Sequence, residues 1–245
     1  MGFSSNDLIF NNKNFKELLK VEKIEMSLLP QIENISQKIP GRAGNLFRKN
    51  QLGSREIVIY CRLIKKSRED IFNARRELAS LLYTQKPEVL KFRNEKNLYY
   101  KAILDGDIKF EIKGKSAFIV LKFIAHDPLG YSEDRVISAT GTRIEFEYNA
   151  SYESAPIITA RLKSTKPEFI LIDSISKDFV KIKNNFNSGN MVKIDCINNF
   201  VEINSYKSMK LLDYNSDFLK IRKGRNIWTF SSPVDYEVRY SERWL

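Results

Sequence analysis

The stretch that decides the fold is Glu56-Ile57-Val58-Ile59-Tyr60-Cys61-Arg62-Leu63-Ile64, which leads through Lys65-Lys66 into residues 67–82. The opening nine residues are rich in β-branched and aromatic side chains, a composition that predicts a β-strand. Lys65 and Lys66 interrupt it. Ser67 stands three residues before Asp70, an acidic variant of the capping box that marks the start of a helix.

The segment behind this cap has the pattern of an amphipathic helix. Its apolar residues recur at helical spacing, at Ile71, Ala74, Leu78, Leu81 and Leu82. Pro87 forbids a longer helix. Because one amphipathic helix needs a sheet to bury its apolar face, the strand and helix predict a compact, mainly β domain around a single helix.

Most of the remaining chain has the pattern of strands. In the first half these are residues 7–12, 21–29, 89–92, 98–104, 108–112 and 117–125, the last expected to be buried on much of both faces. In the second half they are residues 142–148, 157–162, 168–173, 179–182, 191–196, 200–203, 227–230 and 234–240. Short strands at this spacing predict an antiparallel sandwich or jelly roll. We place the domain boundary near Tyr131, giving domains 1–130 and 131–245, and leave open whether the last strand returns to the first domain.

The composition excludes several classes of protein. The chain has 245 residues, of which 42% are hydrophobic and 12% aromatic, and this excludes disorder. No apolar run approaches the ~20 residues that span a bilayer. The polar, Asn-rich N-terminus lacks the apolar core of a signal peptide. We therefore expect a protein made in a cytoplasm that stays there, or leaves by lysis or as part of a particle.

Cys61, Cys196 and His126 are the cysteines and the histidine of the chain. The two cysteines lie far apart in predicted strands, so one disulfide is conceivable. Without a secretion signal, two buried thiols are the favoured interpretation. One histidine and two distant cysteines do not predict a zinc site, and we expect no metal and no cofactor.

The net charge of +11 is uneven along the sequence. Residues 1–130 carry 24 Lys/Arg against 15 Asp/Glu, and residues 131–245 carry 17 against 15. The densest basic cluster consists of Arg62, Lys65, Lys66, Arg68, Arg75 and Arg76. Such a cluster can bind nucleic acid. No recognition helix, zinc finger or RNP motif accompanies it, so a solvated helix face is the favoured interpretation.

Two carboxylate motifs are candidates for catalysis. His126-Asp127 could form a general-base pair, but adjacent residues of a strand point to opposite faces, and no nucleophile motif accompanies them. Glu145 and Glu147 share one face of a predicted strand, as glycosidase carboxylates do. The wet side of an amphipathic strand explains them more simply. We predict no catalytic residue and no enzyme activity.

Residues 31–50 contain Ile39-Pro40-Gly41-Arg42-Ala43-Gly44 and show no usable periodicity. A proline followed by two glycines predicts an extended loop with an unusual backbone. Loops of this length inside a compact domain often carry function.

Several stretches together resemble the distal tail protein family of long-tailed, non-contractile bacteriophages. They are Phe10-Asn11-Asn12, Ile39-Pro40-Gly41-Arg42-Ala43-Gly44, residues 74–82, Tyr99-Tyr100-Lys101-Ala102, His126-Asp127-Pro128, Gly224-Arg225-Asn226 and residues 238–245. The stretch Ile39-Pro40-Gly41-Arg42-Ala43-Gly44 departs from the family's usual proline-glycine-(any)-(acidic or small)-glycine loop. These stretches occur in the same order as in the family, and together they extend over the whole chain.

The resemblance implies a fold and a role. The first domain would be a tail-tube-like β-barrel or sandwich with one α-helix, and the second a galectin-like antiparallel β-sandwich. The protein would form a hexameric ring that caps the tail tube protein, with DNA only passing through its channel. A tail-associated tip protein would meet the opposite face, and a receptor-binding protein the outer domain. The location implied is the virion tail tip of a phage or prophage, without a membrane.

The resemblance also implies a contact site. The loop at residues 37–52 would be an arm that packs on a neighbouring subunit, through Ile39, Pro40, Gly41, Arg42, Gly44, Leu46 and Phe47. The alternative is a flap folded over its own sheet, with Phe47 in the core.

A galectin-like fold raises an alternative function, a carbohydrate-binding module for the host surface. Trp228 is the candidate for stacking on a sugar ring, and core packing of Trp228 is at least as well favoured. Fold analogy alone does not establish a sugar site.

Overall fold

A computed structural model describes residues 8–63, 67–92, 95, 97–113 and 116–245. The chain forms two compact units, one of residues up to Tyr131 together with Leu245, the other of Ser132–Trp244. Antiparallel strands dominate both, and the described residues contain one α-helix. The predicted fold class, mainly β with a single helix, is confirmed.

The first unit consists of antiparallel strands and the helix. Its elements are β1 (Leu8–Phe10), β2 (Lys13–Asn14), β3 (Leu19–Met26), β4 (Ile32–Lys38), β5 (Asn45–Leu52), β6 (Arg55–Leu63), α1 (Arg68–Leu82), β7 (Glu88–Phe92), β8 (Leu98–Leu104), β9 (Lys109–Lys113) and β10 (Ser116–Ala125). Strand β6 pairs with β3 on one side and β10 on the other, and β10 also pairs with β8 and β9. A second run joins β8 to β7, β7 to β1 and β1 to β2.

Helix α1 begins and packs as its sequence pattern predicts. The hydroxyl of Ser67 accepts a hydrogen bond from the backbone N–H of Asp70 at 3.1 Å, which satisfies one unpaired donor of the first turn. One face is buried in the core of the unit, through Ile71, Ala74, Leu78 and Leu82. The predicted break at Lys65 and Lys66 lies outside the described residues.

Strands β6 and β10 form the centre of this core. Ile59 lies opposite Leu121 in their register, and both are fully buried. Along β10, buried and half-buried residues alternate strictly. The expectation that β10 is buried on much of both faces is therefore corrected, because its second face is only half covered. Charged side chains lie on that second face, where Lys122 pairs with Glu56 at 2.8 Å.

A buried arginine fixes the start of β6. The side chain of Arg55 is 2% exposed. It donates from Nε to the carbonyl oxygen of Pro128 at 2.8 Å, and from Nη1 to that of Ser27 at 3.2 Å. Its guanidinium also lies 5.8 Å from the ring centroid of Tyr100. These contacts hold three backbone segments together at one end of the sheet.

The second unit is an all-β structure. Its elements are β11 (Gly130–Tyr148), β12 (Ile157–Leu162), β13 (Lys166–Asp173), β14 (Phe179–Phe186), β15 (Met191–Asp195), β16 (Phe200–Ile203), β17 (Tyr206–Lys207), a short 3₁₀-helix (Met209–Leu211) and β18 (Gly224–Trp244). Strands β17, β16, β15, β12, β18 and β11 are successive neighbours. Strand β13 pairs with β14 and with the first part of β18.

Strand β18 is longer than its sequence predicts. The predicted strands at 227–230 and 234–240 are two parts of one strand. Pro233 suggests a break because it has no N–H to donate. In the structure Pro233 is exposed, and it lies between the part of β18 that pairs with β13 and the part that pairs with β12. Strand β11 likewise begins at Gly130 and not at the predicted residue 142.

Strand β18 also curls around the core of the unit. Fully extended, its 21 residues would span roughly 70 Å. Yet Ile221, three residues before it, bridges to Ser154, and Arg243, near its end, bridges to Tyr152. Both ends therefore come to the same segment. The side chains on its inner face are all buried, at Asn226, Trp228, Phe230, Ser232, Val234, Tyr236, Val238 and Tyr240.

Both cysteines are free, buried thiols, so the disulfide alternative is excluded. Burial raises the pKa of each thiol from the ordinary 9.0 to about 12, because the apolar surroundings disfavour the thiolate. The folded state therefore binds these protons more tightly than the unfolded chain. The resulting stabilisation is complete below pH 9 and is lost as the pH rises towards 12.

We predict that a thiol reagent such as Ellman's reagent labels neither cysteine in the native protein at pH 8. The thiolate is the reactive species, and burial suppresses both its formation and its access. In denaturant two thiols per chain should react. Rapid labelling of the native protein would contradict the burial of Cys61 and Cys196.

We predict that Leu78→Ala lowers the free energy of unfolding of the first unit by about 2–5 kcal/mol, because it leaves a cavity beneath the helix. The matched control is Glu77→Ala, one residue away on the exposed face of α1. Hydrogen exchange of the backbone amides of β6 and β10 during urea unfolding measures the difference. Equal effects of the two substitutions would contradict the assigned core face.

Candidate functional site

The candidate site is a β-hairpin that projects from the first unit. Strands β4 and β5 form a two-stranded sheet of their own, paired from Ile32 opposite Leu52 to Lys38 opposite Asn45. At its base the N–H of Gly53 donates to the carbonyl oxygen of Gln31 at 2.7 Å. We call residues 31–53 the arm. The expected irregular loop is thus corrected to a hairpin.

Most residues of the arm are exposed, and the others are half-buried. None of its residues is buried, and the side chain of Phe47 is 58% exposed. This exposure contradicts the alternative of a flap with Phe47 in the core. Leu46 and Phe47 are adjacent in β5, so their side chains point to opposite faces of the ribbon. Each face therefore presents apolar surface, and one flat partner surface cannot cover both.

The turn of the arm depends on its two glycines. Gly41 has φ +79° and Gly44 has φ +76°, in the left-handed region that side chains disfavour. The N–H of Arg42 donates to the carbonyl oxygen of Ile39 at 3.2 Å within the turn. The seven residues predicted as a contact site come together at the end of the hairpin, at Ile39, Pro40, Gly41, Arg42, Gly44, Leu46 and Phe47.

The arm carries cations without partner carboxylates. Its basic residues are Lys38, Arg42, Arg48 and Lys49, and its one acidic residue is Glu33. Among the described residues, no carboxylate forms an ion pair with any of the four cations. Arg48 donates from Nε to the amide oxygen of Gln37 at 3.1 Å. Sequence reasoning missed the contribution of Lys38, Arg48 and Lys49, although the charge count of this stretch would have revealed it.

The motif His126-Asp127 forms a turn. Asp127 accepts hydrogen bonds from the hydroxyl of Tyr131 and, at 3.4 Å, from the N–H of Leu129. His126 is exposed. The carboxylate of Asp127 is thus engaged by its own turn and does not orient the imidazole.

Glu145 and Glu147 are exposed residues of an amphipathic strand. Glu145 pairs with Arg143 at 2.7 Å and also with Arg225. Hydrogen bonds from Arg225 and Arg143 lower the pKa of Glu145. A glycosidase acid requires a raised pKa, so this arrangement does not suit acid catalysis.

Trp228 is fully buried in the core of the second unit. Its ring packs edge-on against Phe146, with centroids 5.4 Å apart. An indole without exposed surface has no face to offer a sugar ring. Trp228 is therefore a core residue and is not available to stack on a sugar ring.

Of the predicted basic cluster, Lys65, Lys66 and the side chain of Arg68 lie outside what the structure describes, and two of the others have contacts of their own. Arg62 pairs with Glu22 at 3.2 Å, and the guanidinium of Arg75 lies 5.6 Å from the ring centroid of Phe110. In the part of the chain that the structure describes, no three metal-ligating side chains cluster, and no helix is long and apolar enough to cross a membrane.

Two family models match the chain. The phage tail protein RIFT-related domain matches residues 13–125, and the C-terminal domain of the siphovirus-type tail component matches residues 149–244. The distal tail protein of Bacillus phage SPP1 is 21% identical over 225 residues, which cover 90% of this chain and 89% of that protein. The chain belongs to the distal tail protein family.

One solved structure of a phage tail protein has a similar fold. The crystal structure of the SPP1 distal tail protein, described as a paradigm of the hub adsorption apparatus in phages that infect Gram-positive hosts, has a TM-score of 0.85. The sequence identity is 16%, over 98% of this chain and 99% of that chain. A chain of the phage p2 baseplate has a TM-score of 0.45 at 11% identity, over 90% of each chain.

Membership of the distal tail protein family confirms that the protein is not an enzyme, because members of the family are structural tail components. It also confirms the family resemblance drawn from the ordered motifs.

We predict that replacing Gly41 and Gly44 together by alanine loosens the arm without unfolding the unit. Each alanine is forced into a left-handed backbone at a cost of about 1 kcal/mol, although no atom lies within 4 Å of either added Cβ. Backbone amides of residues 32–52 should exchange faster while the thermal transition stays unchanged. Unaltered exchange would contradict the assigned turn, and Gly189→Ala, a glycine with φ +89° in the second unit, is the control.

Proposed function

We propose that the protein is the structural hub of a phage tail tip, a hexameric ring that joins the tail tube protein to the tail-associated tip protein. DNA would pass through the central channel. The first unit would form the ring, and the galectin-like second unit would face outward, where a receptor-binding protein could attach. The site of action would be the tail tip of the virion.

The exposed arm is the observation that carries the proposal. An isolated two-stranded hairpin is marginally stable at best in water. This arm has no buried residue, yet it holds apolar side chains on both faces. Its strands gain a hydrophobic environment only when another surface covers them. A neighbouring subunit that receives Phe47 and Leu46 supplies such a surface.

The geometry of an arm favours a closed ring. An arm that inserts into a different surface of the next copy makes a head-to-tail contact, and repeated head-to-tail contacts close into a ring when the rotation permits. Support for a hub comes from the family and from the likeness of the fold to the SPP1 protein. The four cations of the arm indicate that the receiving surface is acidic or polar.

We predict that Phe47→Asp dissociates the ring into folded subunits. A carboxylate in place of a buried aromatic anchor would be desolvated without a partner, and such anchors dominate the energy of an interface. The matched control is Phe72→Asp, because Phe72 is 48% exposed on helix α1, outside the arm. Light scattering gives the mass, and the thermal transition reports the fold.

The control should keep the mass of the wild-type protein. A Phe47→Asp protein that retains the full ring would contradict the role of the arm. So would a variant that loses its thermal transition along with the ring, because Phe47 would then belong to the core.

A further inference from the structure

A groove lies at the end of β3, beside the base of the arm. Six residues line it: Ile24, Glu25, Met26, Ser27, Glu56 and Val58. Ser27 precedes the arm by four residues, and Glu56 follows it by three. Among the described residues β3 pairs with β6 alone, so β3 is the last strand on this side of the sheet. The apolar residues of the lining are only half-buried, and the groove is open to another chain.

Apolar side chains next to the groove are left in water. Leu28, which follows Ser27, is 90% exposed, and Leu29 is 45% exposed. Ile32, at the start of β4, is 45% exposed as well. Single exposed apolar residues are common, whereas several together mark a surface that another protein covers. The base of the arm therefore offers apolar surface, as its end does.

Two side chains of the groove have a defined spacing. Val58 lies opposite Glu25 in the register of β6 and β3, and Glu56 lies two residues before Val58 in β6. Because side chains alternate along a strand, Val58 and Glu56 point to the same face of the sheet, about 6–7 Å apart. An apolar side chain and an acidic side chain thus lie next to each other on one face.

The arm carries the complementary pair at the same spacing. Phe47 and Lys49 are two residues apart in β5, so they share one face of the ribbon, also about 6–7 Å apart. Both are exposed. Among the described residues no carboxylate forms an ion pair with Lys49. When Phe47 lies against Val58, Lys49 can therefore lie against Glu56.

We propose that this groove is the surface that receives the arm of another copy. Phe47 seats against Val58 of the partner subunit, and Lys49 binds Glu56 of the partner subunit. The inference rests on the ring proposed above and names its acceptor. The end of the arm and the groove are different surfaces, so the contact is head-to-tail, as a closed ring requires.

The arm does not fill the groove of its own chain. Phe47 lies five residues from Leu52 at the base of the arm, which is roughly 17 Å along the ribbon. A paired ribbon does not fold back on itself over that length. Phe47 is accordingly exposed in the single chain. The occupant of the groove is therefore a second copy.

Glu56 can bind Lys49 although it already has a partner. Lys122 pairs with Glu56 at 2.8 Å, and the side chain of Glu56 stays 52% exposed in this pair. A carboxylate has two oxygens and can accept from two ammonium groups. Glu25 is less available, because Lys23 and the hydroxyl of Tyr60 both donate to it. The charge contact is therefore assigned to Glu56.

Zero-length coupling with a carbodiimide tests the contact in the unmodified protein. The reagent activates a carboxylate, and a neighbouring lysine amine displaces it to form an amide. We expect an amide between Lys49 and Glu56 in the band of linked dimers on a denaturing gel, identified by mass spectrometry. The amide between Lys122 and Glu56, within one chain, is the positive control. Lys49→Arg keeps the charge but has no amine to couple, so it should lose the link and keep the ring.

Charge exchange tests the same pair without a reagent. Glu56→Lys should raise the dissociation constant between subunits about fivefold, because it places two cations together. The added change Lys49→Glu should restore the affinity, which it could not do if the effect came from losing the pair with Lys122. Glu77→Lys, on the exposed face of α1, is the control and should change nothing. The thermal transition reports the fold of each variant.

The outcomes separate the groove from the ring. A ring whose Lys49 couples to no Glu56 of another chain, while Lys122 does couple to Glu56, would overturn the groove as acceptor and leave the hub proposal standing. Failure of Lys49→Glu to restore Glu56→Lys would overturn it as well. A protein that is monomeric at every concentration would overturn both proposals.

Discussion

The constraint on which the structure depends is the stability of a two-stranded ribbon in water. The backbone hydrogen bonds of the arm's sheet form only between β4 and β5, and none of the arm's side chains is buried. Little apolar burial therefore offsets the conformational entropy that the arm loses when it folds. In the proposed ring each arm would gain its buried surface from the next copy, and this would remove the imbalance. On this proposal, folding of the arm and assembly of the ring would be coupled.

A buried arginine of the first unit fixes the backbone next to the base of the arm. Arg55 is buried at the start of β6 and binds the carbonyl oxygen of Ser27, four residues before the arm begins. The same guanidinium binds Pro128, after the last strand of the unit. A buried cation is costly unless its donors are engaged, and the bonds from Nε and Nη1 of Arg55 favour this arrangement of the backbone over its alternatives. The base of the arm is thus fixed while its end remains exposed.

The sequence predicts those elements whose pattern arises from burial. Helix α1 has one buried face and a side-chain cap. In the sequence, Ser67 marks the cap and Leu78 belongs to the buried face. The arm has no buried face, so no periodicity could reveal its strands. Its signal was a Pro-Gly turn between two polar stretches. Strand β18 was divided in two because Pro233 usually ends a strand, whereas here it lies exposed between two partner strands.

The mass of the unmodified protein in solution, by light scattering and with negative-stain images of the same sample, tests the central claim most directly. The account predicts six times the subunit mass of 28.6 kDa, or twelve times where rings pair, and particles with a central channel. A monomer at every concentration, with the arm's amides exchanging as fast as those of an unfolded chain, would contradict the claim that copies of this protein complete the arm.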